Sequence, residues 1–498
     1  MKKSLPFRLA PHALILALLV ALPVYSGQRW ERAYGGMYDD VSYSVLQTRD
    51  GGYVACGWTA SFGPGAPAHS NAYLVKTDSL SDTLWTRVYG GPYGDRGTSV
   101  QQTQDGGFII TGDSDPKGSG YFNVNLIKTD SLGYPLWTKT YLDTNLSVGN
   151  AVQQTRDTGY IIAGQIGGWD VFLVKTNSTG DTLWTRSFGG PYWDYGYSVQ
   201  QTQDGGYIVA GEKKFLSDSS QVYLIKTDAA GDPLWSKTFG GSGYDGGYYV
   251  QQTQDGGYII AGYHYLNRAF PFSGVYLIKT DAQGDTLWSK VYRGRYPDSV
   301  AIGFCVRQTQ DGGYIVTGGS GPRGLGDRHV YLIKTDAQGD TLWTKTFGVM
   351  RFQQGHSVQQ TTDGGYIIAG YTDFFGAGNF DVYLIKTDSL GNVGVEEFPK
   401  SVDAQLFTLS VRPSPVREGC VISFALPVSG KASLVVFDAL GRRVRVLLDG
   451  KVGAGSKRVR WAGRDAQGRP LPSGVYFLRL EAGGAGGVSL TRKLVVLR

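Results

Sequence analysis

The feature that most constrains this chain of 498 residues is a unit that recurs from Trp30 to the region of Gly391. One decapeptide, KTDAQGDTLW, begins at Lys279 and occurs again, letter for letter, at Lys334. Successive copies of its tryptophan lie 47 to 55 residues apart. Self-similarity at this period is typical of β-propellers and related arrays, in which each repeat forms one small sheet.

Each unit contains four segments that predict β-strands. We label them A (YSVQQT), B (YIIAG), C (VYLIKTD) and D (LWTRSFGG). The Asp-Gly-Gly sequence between A and B favours a tight hairpin turn, because glycine readily adopts positive φ. The unbroken apolar run of C suits a strand covered on both faces, and no segment shows a helical period.

The tryptophan of strand D is missing from the last unit, where the sequence from Lys386 reads KTDSLGNVGV. The chain begins instead with an isolated D segment, Arg29 to Gly35, which has no A, B or C before it. The motifs match in number only if this first D strand completes the last sheet, and a closed ring would leave few strand edges exposed. We therefore predict an all-β fold: a closed seven-bladed β-propeller with four-stranded blades, the N-terminal strand closing the last blade.

Four repeated side chains have structural interpretations. The tryptophans are expected to pack between adjacent sheets. The Lys and Asp of the KTD motif are expected to form a turn and to pair blade with blade. One strand-A glutamine could either ring a central channel or tie A to B. It occurs as Gln47, Gln102, Gln154, Gln201, Gln252, Gln308 and Gln360.

The C–D hairpin with its tryptophan resembles the tryptophan-docking repeat of quinoprotein-type propellers. It is also similar to the Asp-box hairpin of sialidases. These resemblances imply the propeller fold. Residues for a quinone pocket or for a sialidase arginine triad are not found in the sequence, so no cofactor is expected.

The C-terminal segment contains RPSPVREGCVISFALP from Arg412, LVVFDALGRRVRVLL from Leu434 and TRKLVVLR at the end. In order and kind, these motifs resemble a type IX secretion C-terminal sorting domain, which is similar to the immunoglobulin-like domain of flagellar hook-capping proteins. The resemblance implies engagement of outer-membrane secretion machinery through residues 405–498. The residues alone predict a small β-sandwich, the resemblance implies that it is Ig-like, and an ordinary accessory sandwich is the alternative.

The N-terminus combines Lys2, Lys3 and Arg8 with a short apolar run and small residues at Ser26 and Gly27, which predicts a secretory signal peptide. The expected organisation is signal peptide 1–27, propeller 28–392, linker 393–404 and sorting domain 405–498. No apolar run is long enough to span a membrane. We expect a secreted or cell-surface protein on the exterior of a Gram-negative outer membrane.

Charge and ligand types exclude several classes of function. Residues 28–400 hold 29 basic and 36 acidic residues, which argues against a nucleic-acid partner, whereas residues 401–498 carry a net charge of +10. The three cysteines suggest no disulfide framework. The histidines have no metal-ligand spacing, so no metal site is expected.

The loops between B and C and between D and A vary in length, as binding loops on a fixed scaffold usually do. Five D–A loops carry an Asp with an aromatic residue one or two positions before it. Aromatic faces beside carboxylates suit an extracellular glycan or protein ligand, although the Asp residues could instead cap the loops. The candidate ligand-binding residues are Tyr38, Asp40, Tyr93, Asp95, Tyr192, Trp193, Asp194, Tyr244, Asp245, Tyr296 and Asp298.

The repeats are nearly uniform, which favours a binding or structural display module over an enzyme. The alternative is a glycoside-active propeller that uses two loop carboxylates. Glu31 and Glu212 are the only Glu residues within the ring, and no acidic pair is expected to stand apart from the repeats. No catalytic residue is therefore assigned.

Overall fold

A computed structural model describes residues 29–141, 147–167, 170–215, 219–265, 273–294, 299–322, 328–348, 352–374, 376, 378–393, 408–412, 415–417, 419–426, 430–439, 441–453, 455–482 and 488–498. The predicted signal peptide and most of the predicted linker lie outside these residues. The chain divides into two compact units, Met1–Gly394 and Val395–Arg498. Both are built from β-strands, and no helix occurs among the described residues.

The first unit follows the repeat, with one strand for each A, B, C and D segment. The A strands are β2 (Asp40–Gln47), β6 (Asp95–Gln102), β10 (Val148–Gln154), β14 (Asp194–Gln201), β18 (Tyr244–Gln252), β22 (Ser299–Gln308) and β26 (Gln353–Gln360). The B strands are β3 (Tyr53–Thr59), β7 (Phe108–Ser114), β11 (Tyr160–Ile166), β15 (Tyr207–Phe215), β19 (Tyr258–Tyr265), β23 (Tyr314–Pro322) and β27 (Tyr366–Thr372).

The C strands are β4 (Asn71–Thr77), β8 (Asn123–Thr129), β12 (Asp170–Thr176), β16 (Ser219–Thr227), β20 (Ser273–Thr280), β24 (His329–Thr335) and β28 (Asp381–Thr387). The D strands are β1 (Trp30–Tyr34), β5 (Thr83–Tyr89), β9 (Pro135–Tyr141), β13 (Thr182–Phe188), β17 (Pro233–Phe239), β21 (Thr286–Tyr292) and β25 (Thr341–Phe347). Strands of one repeat pair antiparallel in the order A-B-C-D, which gives the four-stranded sheets of a propeller-like fold. One parallel bridge, Ser220 to Tyr244, joins the sheet of β14 to that of β18.

The sheet formed by β26, β27 and β28 takes its fourth strand from the other end of the unit. Strand β1 pairs antiparallel with β28, in a register that sets Trp30 opposite Lys386 and Tyr34 opposite Val382. This sheet therefore contains the first and the last strand of the unit, and Trp30 occupies the D-strand tryptophan position that is missing after Lys386.

The B and C strands are covered on both faces, and the tryptophans pack against them from the next sheet. Leu74 on β4 and Ile161 on β11 are wholly buried. Each D-strand tryptophan meets the first residue of the neighbouring B strand edge-to-face, at centroid distances from 5.7 Å for Trp30–Tyr53 to 6.0 Å for Trp343–Tyr366. The tryptophans thus make the contact between sheets that the repeat predicts.

The KTD lysine pairs within its own sheet, so the prediction of blade-to-blade pairing by this motif is wrong. Buried Lys226 donates from Nζ to Asp204 of the A–B turn at 2.8 Å and to the Thr227 carbonyl at 2.8 Å. The antiparallel order places the end of C beside the A–B turn of the same sheet, which explains this partner. Ion pairs between neighbouring sheets use a different acid, as in Lys139–Asp181 at 2.9 Å.

The repeated strand-A glutamine binds both its own turn and the turn of a neighbouring sheet. Nε2 of Gln252 donates to the Gly256 carbonyl at 3.1 Å, and its Oε1 accepts from the Gln203 backbone N–H at 2.8 Å. The same bond runs from the N–H of Thr362 to Oε1 of Gln47 at 2.9 Å, which joins the last sheet to the first. Seven junctions carry it: Arg49–Gln102, Gln104–Gln154, Arg156–Gln201, Gln203–Gln252, Gln254–Gln308, Gln310–Gln360 and Thr362–Gln47.

The second unit consists of two sheets around one core. Its strands are β29 (Thr408–Arg412), β30 (Cys420–Leu426), β31 (Gly430–Asp438), β32 (Arg443–Val452), β33 (Gly455–Trp461), β34 (Gly474–Ala482) and β35 (Val488–Val496). One sheet has the order β29-β30-β33 and the other β32-β31-β34-β35. Ile422, Leu434 and Leu478 lie in the shared core, as in a small β-sandwich.

Candidate ligand site in the strand-A cavity

The predicted loop aspartates that the structure describes are buried and hold the D–A loops. Asp40 Oδ2 accepts the N–H of Gly36 at 2.7 Å, Asp95 Oδ2 that of Gly91 at 2.8 Å, and Asp245 Oδ2 that of Gly241 at 2.8 Å. Asp194 is likewise buried. Burial raises the pKa of Asp95, Asp194 and Asp245. These carboxylates therefore serve the loop backbone in this structure.

The aromatic residues beside those aspartates are more accessible. Trp193 is 47% exposed, Tyr38 42% and Tyr93 36%, whereas Tyr192 and Tyr244 are half-buried. Lys214 Nζ lies 5.9 Å from the centroid of the Trp193 ring. Tyr296 and Asp298 lie outside the described residues. In the pairing of β22 with β23, Ala301 occupies the position that Asp245 has in the pairing of β18 with β19.

A cavity of about 980 Å³ is lined by A strands of all the propeller-like sheets, and we call it the strand-A cavity. One position, four residues before the repeated glutamine, projects a side chain into its wall from each sheet. The seven residues at this position are Tyr43, Thr98, Asn150, Tyr197, Tyr248, Phe304 and His356. Their diversity contrasts with the uniformity of the neighbouring positions, so this ring breaks the symmetry of the repeats.

Five of these side chains form a continuous aromatic arc: Tyr197, Tyr248, Phe304, His356 and Tyr43. Neighbouring ring centroids lie 4.8, 5.0, 4.6 and 5.1 Å apart along this order. All five side chains are half-buried, so each is packed by its neighbours and keeps part of its surface toward the cavity. The arc covers five successive sheets, because the last sheet adjoins the first.

The other two positions leave a polar gap in the arc. Thr98 Oγ1 donates to the Gly149 carbonyl at 2.5 Å, and Asn150 Nδ2 donates to the Gly196 carbonyl at 2.8 Å. Both side chains are small and half-buried. The cavity wall therefore combines apolar ring faces on one side with hydroxyl and amide groups on the other.

Two acidic residues flank the gap at one strand-B position, immediately after the glycine that ends the YIIAG segment. Asp113 lines the cavity and accepts from Nε and Nη2 of Arg96 at 3.0 and 2.9 Å. Glu212, also buried, accepts from the Tyr263 hydroxyl at 2.9 Å. Asp113 lies on β7 and Glu212 on β15, so the two acids belong to different sheets. Desolvation by burial raises the pKa of Asp113.

Tyr197, Tyr248 and His356 are uncharged at neutral pH. Burial raises the pKa of Tyr197 and Tyr248, and the nearby Glu212 carboxylate raises both further. Burial among the surrounding rings lowers the pKa of His356 to about 3, so its imidazole is neutral. The arc is thus suited to contact the apolar face of a ligand.

The residue pattern contains the signal for this site, although the loop-based prediction overlooked it. When the repeats are aligned on the strand-A glutamine, the fourth residue before it is Tyr, Thr, Asn, Tyr, Tyr, Phe or His. That residue lines the cavity in each of the seven sheets. Within the described residues no group of three potential metal ligands occurs, and the cysteines are free and buried.

Comparison with known proteins identifies one domain. Residues 422–486 match the family model of the FlgD Ig-like domain. No curated protein matches the chain. In the described part of the chain, no helix is long and apolar enough to cross a membrane.

Several solved structures are similar to this chain. PorZ of Porphyromonas gingivalis, described as an essential surface component of the type-IX secretion system, is 13% identical, with a TM-score of 0.42 over 94% of this chain and 61% of PorZ. Sqt1 of Chaetomium thermophilum is 8% identical, with a TM-score of 0.42 over 72% of this chain and 97% of Sqt1. An endo-arabinase of Bacteroides thetaiotaomicron is 12% identical, with a TM-score of 0.33 over 47% of this chain and 92% of the arabinase. At these values the likenesses establish neither a ligand nor an activity for this chain.

Proposed function

We propose that this chain is an exported binding module that holds a carbohydrate in the strand-A cavity. The observation that carries this proposal is the aromatic arc, because five adjacent rings from neighbouring sheets line one side of the cavity. Sugar rings present C–H faces that stack on aromatic rings, and their hydroxyls need polar partners such as Thr98 and Asn150. The exposed loop rings at Tyr38, Tyr93 and Trp193 would form an outer rim, since D–A loops precede the arc along each A strand.

The proposal includes a closed seven-bladed propeller, in which the A strands surround the cavity. Three contacts support closure, one within the last sheet and two between the last sheet and the first. Strand β1 pairs with β28, Trp30 packs against Tyr53 at 5.7 Å, and the Gln47 N–H donates to Gln359 Oε1 at 2.8 Å. An open array would leave these groups without their partners.

Substitution in the arc tests the carbohydrate proposal. Stacking on one ring is worth about 1 kcal/mol beyond simple burial, so Tyr248→Ala should weaken binding about fivefold or more. The ligand would first be found on a glycan array, and its affinity then measured by isothermal titration calorimetry. Tyr134→Ala is the matched control, because Tyr134 is 55% exposed on a C–D turn and does not line the cavity. Equal affinities for the two variants would contradict the proposal.

The rim has its own test. Trp193→Ala should weaken binding about fivefold while changing the melting temperature little, because the indole is 47% exposed. Unfolding of this variant, or unchanged affinity, would assign Trp193 to loop structure instead.

Export through the C-terminal unit is the second part of the proposal. It is supported by the match of residues 422–486 to the FlgD Ig-like domain and by the motif order of residues 405–498. We expect those residues to engage outer-membrane secretion machinery and to place the protein outside the cell or on its surface. A chain that lacks 405–498 should remain in the periplasm of a host with type IX machinery. Its normal appearance outside the cell would refute this part.

A second candidate function is glycoside hydrolysis, favoured by Asp113 and Glu212. They are acidic at one strand-B position where the other repeats have Trp, Gln, Tyr or Gly. In such an enzyme one carboxyl group would act as acid and the other as base or nucleophile. Release of reducing sugar from a polysaccharide panel, abolished by Asp113→Asn or Glu212→Gln, would favour catalysis over binding.

A further inference from the structure

The position immediately before the repeated glutamine departs from its pattern in one sheet by carrying a positive charge. Five sheets have glutamine there: Gln101, Gln153, Gln200, Gln251 and Gln359. In each of them, Oε1 accepts the N–H of the repeated glutamine in a neighbouring sheet, as Gln251 does from Gln308 at 2.7 Å. The two exceptions are Leu46 and Arg307.

Arg307 lines the strand-A cavity and is held in place without a carboxylate. Its guanidinium lies 4.7 Å from the centroid of the Tyr249 ring and beside the Cys305 thiol. Its Nε is buried and has no hydrogen-bond partner, and no ion pair to Arg307 occurs within the described residues. A guanidinium has no acceptor for the Gln360 N–H. Two hydrogen-bond donors therefore face each other at this junction, whereas at five other junctions a glutamine oxygen accepts the equivalent N–H.

The described lining of the cavity carries more cationic than anionic side chains. The charged residues in its described lining are Arg49, Arg96, Arg307 and Asp113. Because Asp113 already binds Arg96 at 2.9 Å, two cationic side chains are left without a carboxylate partner in the lining. A positive cavity stands out in a segment, 28–400, whose acidic residues outnumber its basic ones by 36 to 29.

Arg307 is half-buried and has no carboxylate partner among the described lining residues, so the cost of desolvating its charge is only partly offset, by the Tyr249 ring. The group that would complete this site is an anion whose oxygens accept hydrogen bonds. Carboxylates and sulfates fit, because two of their oxygens can accept from the planar guanidinium at once. Phe304, the middle ring of the aromatic arc, lies three residues earlier on the same strand and also lines the cavity, so one ligand in the cavity could contact both.

We infer that the ligand is an anionic saccharide, carboxylated or sulfated, whose acidic group binds Arg307 while its ring faces contact the aromatic arc. This inference rests on the proposed carbohydrate function and specifies its substrate class. Arg307 would select for charge, and the arc would supply contact area that does not depend on charge.

The repeats offer a variant that removes the charge without introducing a foreign side chain. Arg307→Gln creates the residue found in five other sheets and supplies the oxygen that Gln360 N–H lacks. It should therefore fold with an unchanged or higher melting temperature. Arg156→Gln is the matched control, because the equivalent residues Gln104, Gln203, Gln254 and Gln310 are already glutamine and Arg156 is not among the described residues that line the cavity.

The probes are an oligogalacturonate, a κ-carrageenan oligosaccharide and a neutral galacto-oligosaccharide of equal length, each titrated into the full mature chain by calorimetry. The carboxylated and sulfated probes distinguish the two sources of negative charge. We expect at least one acidic probe to bind, Arg307→Gln to weaken it about tenfold or more, and Arg156→Gln to change it less than about threefold. Arg307→Lys should retain more affinity than Arg307→Gln because it keeps the charge.

Three results would overturn the inference, and the first two separate it from the proposed function. If the neutral probe binds, is weakened by Tyr248→Ala and is unaffected by Arg307→Gln, carbohydrate binding stands and the anionic preference is wrong. If no saccharide probe binds, both are wrong. Equal affinity of an acidic probe for the unsubstituted chain and Arg307→Gln would also reject the role of Arg307.

Discussion

At the scale of single residues, the repeats allow the residue at one turn position to be compared between sheets for its tolerance of positive φ. The first Gly of the Asp-Gly-Gly turn has positive φ in six sheets, for example 88° at Gly205. The third sheet has Thr158 at this position with φ of 66°. A β-branched residue is strained in this region, whereas glycine is not.

Replacing Thr158 with Gly should stabilise the fold. Non-glycine residues at positive φ cost about 1 kcal/mol or more, and the larger conformational freedom of glycine in the unfolded chain offsets only part of that gain. The expected result is a rise of about 0.5–1 kcal/mol in the free energy of unfolding, measured by urea denaturation. A decrease would show that the Thr158 side chain makes a stabilising contact that outweighs its backbone strain.

His356 makes stability depend on pH. Its pKa in the folded state is about 3, below the value of about 6.5 for an unfolded chain, so acidification protonates the unfolded chain first. Its contribution to stability is complete above pH 6.5 and is lost progressively as pH falls toward 3. His356→Phe should reduce the loss between pH 7.5 and pH 5 by about 2 kcal/mol. The control is His69→Gln on an exposed loop, and an equal effect of both variants would contradict the assignment.

At the scale of strands and turns, the junction between neighbouring sheets is a tryptophan packed on a C–D turn. A Cβ added to Gly231 would lie 2.7 Å from the Trp184 ring, whereas one added to Gly205 would meet nothing within 4 Å. Both glycines have similar positive φ, 81° and 88°. The pair therefore separates backbone strain from packing against the indole.

Gly231→Ala should destabilise the fold more than Gly205→Ala. Both variants lose about 1 kcal/mol from the backbone conformation, and overpacking against Trp184 should add about 1–3 kcal/mol to the first. Thermal denaturation of the two proteins side by side measures the difference. Equal melting temperatures would mean that the tryptophan moves aside without cost.

The strands and their order could be predicted because the repeat shows each of them several times and the Asp-Gly-Gly turns fix the hairpins. The partner of the KTD lysine was also within reach, since antiparallel order sets Lys226 near Asp204. The burial of Asp40 and Asp245 was not predictable, because it depends on how each D–A loop folds back on its carboxylate. The aromatic arc required alignment on the glutamine, and its contacts required the spacing of neighbouring A strands.

At the scale of the whole molecule, integrity of the first unit depends on its N-terminal strand. Removing residues 28–36 deletes the partner of β28 and the Trp30–Tyr53 contact between the last and first sheets. Loss of a buried tryptophan alone costs about 3–5 kcal/mol, so the melting temperature should fall by many degrees. Trp30→Ala should lower it less than the deletion does. An unchanged melting temperature of the truncated chain would contradict a closed ring.

The pairing of β1 with β28 also determines when the chain can finish folding. Glu31 and its partner Tyr383 are 352 residues apart in sequence. At about 5–20 residues per second, a ribosome needs roughly 20–70 s to make the intervening chain. During that time β1 has no strand to join, so the sheet that starts first is completed last. A polypeptide built this way stays incompletely folded until almost the whole first unit has been synthesised, the condition in which a chain can still be threaded through a membrane pore.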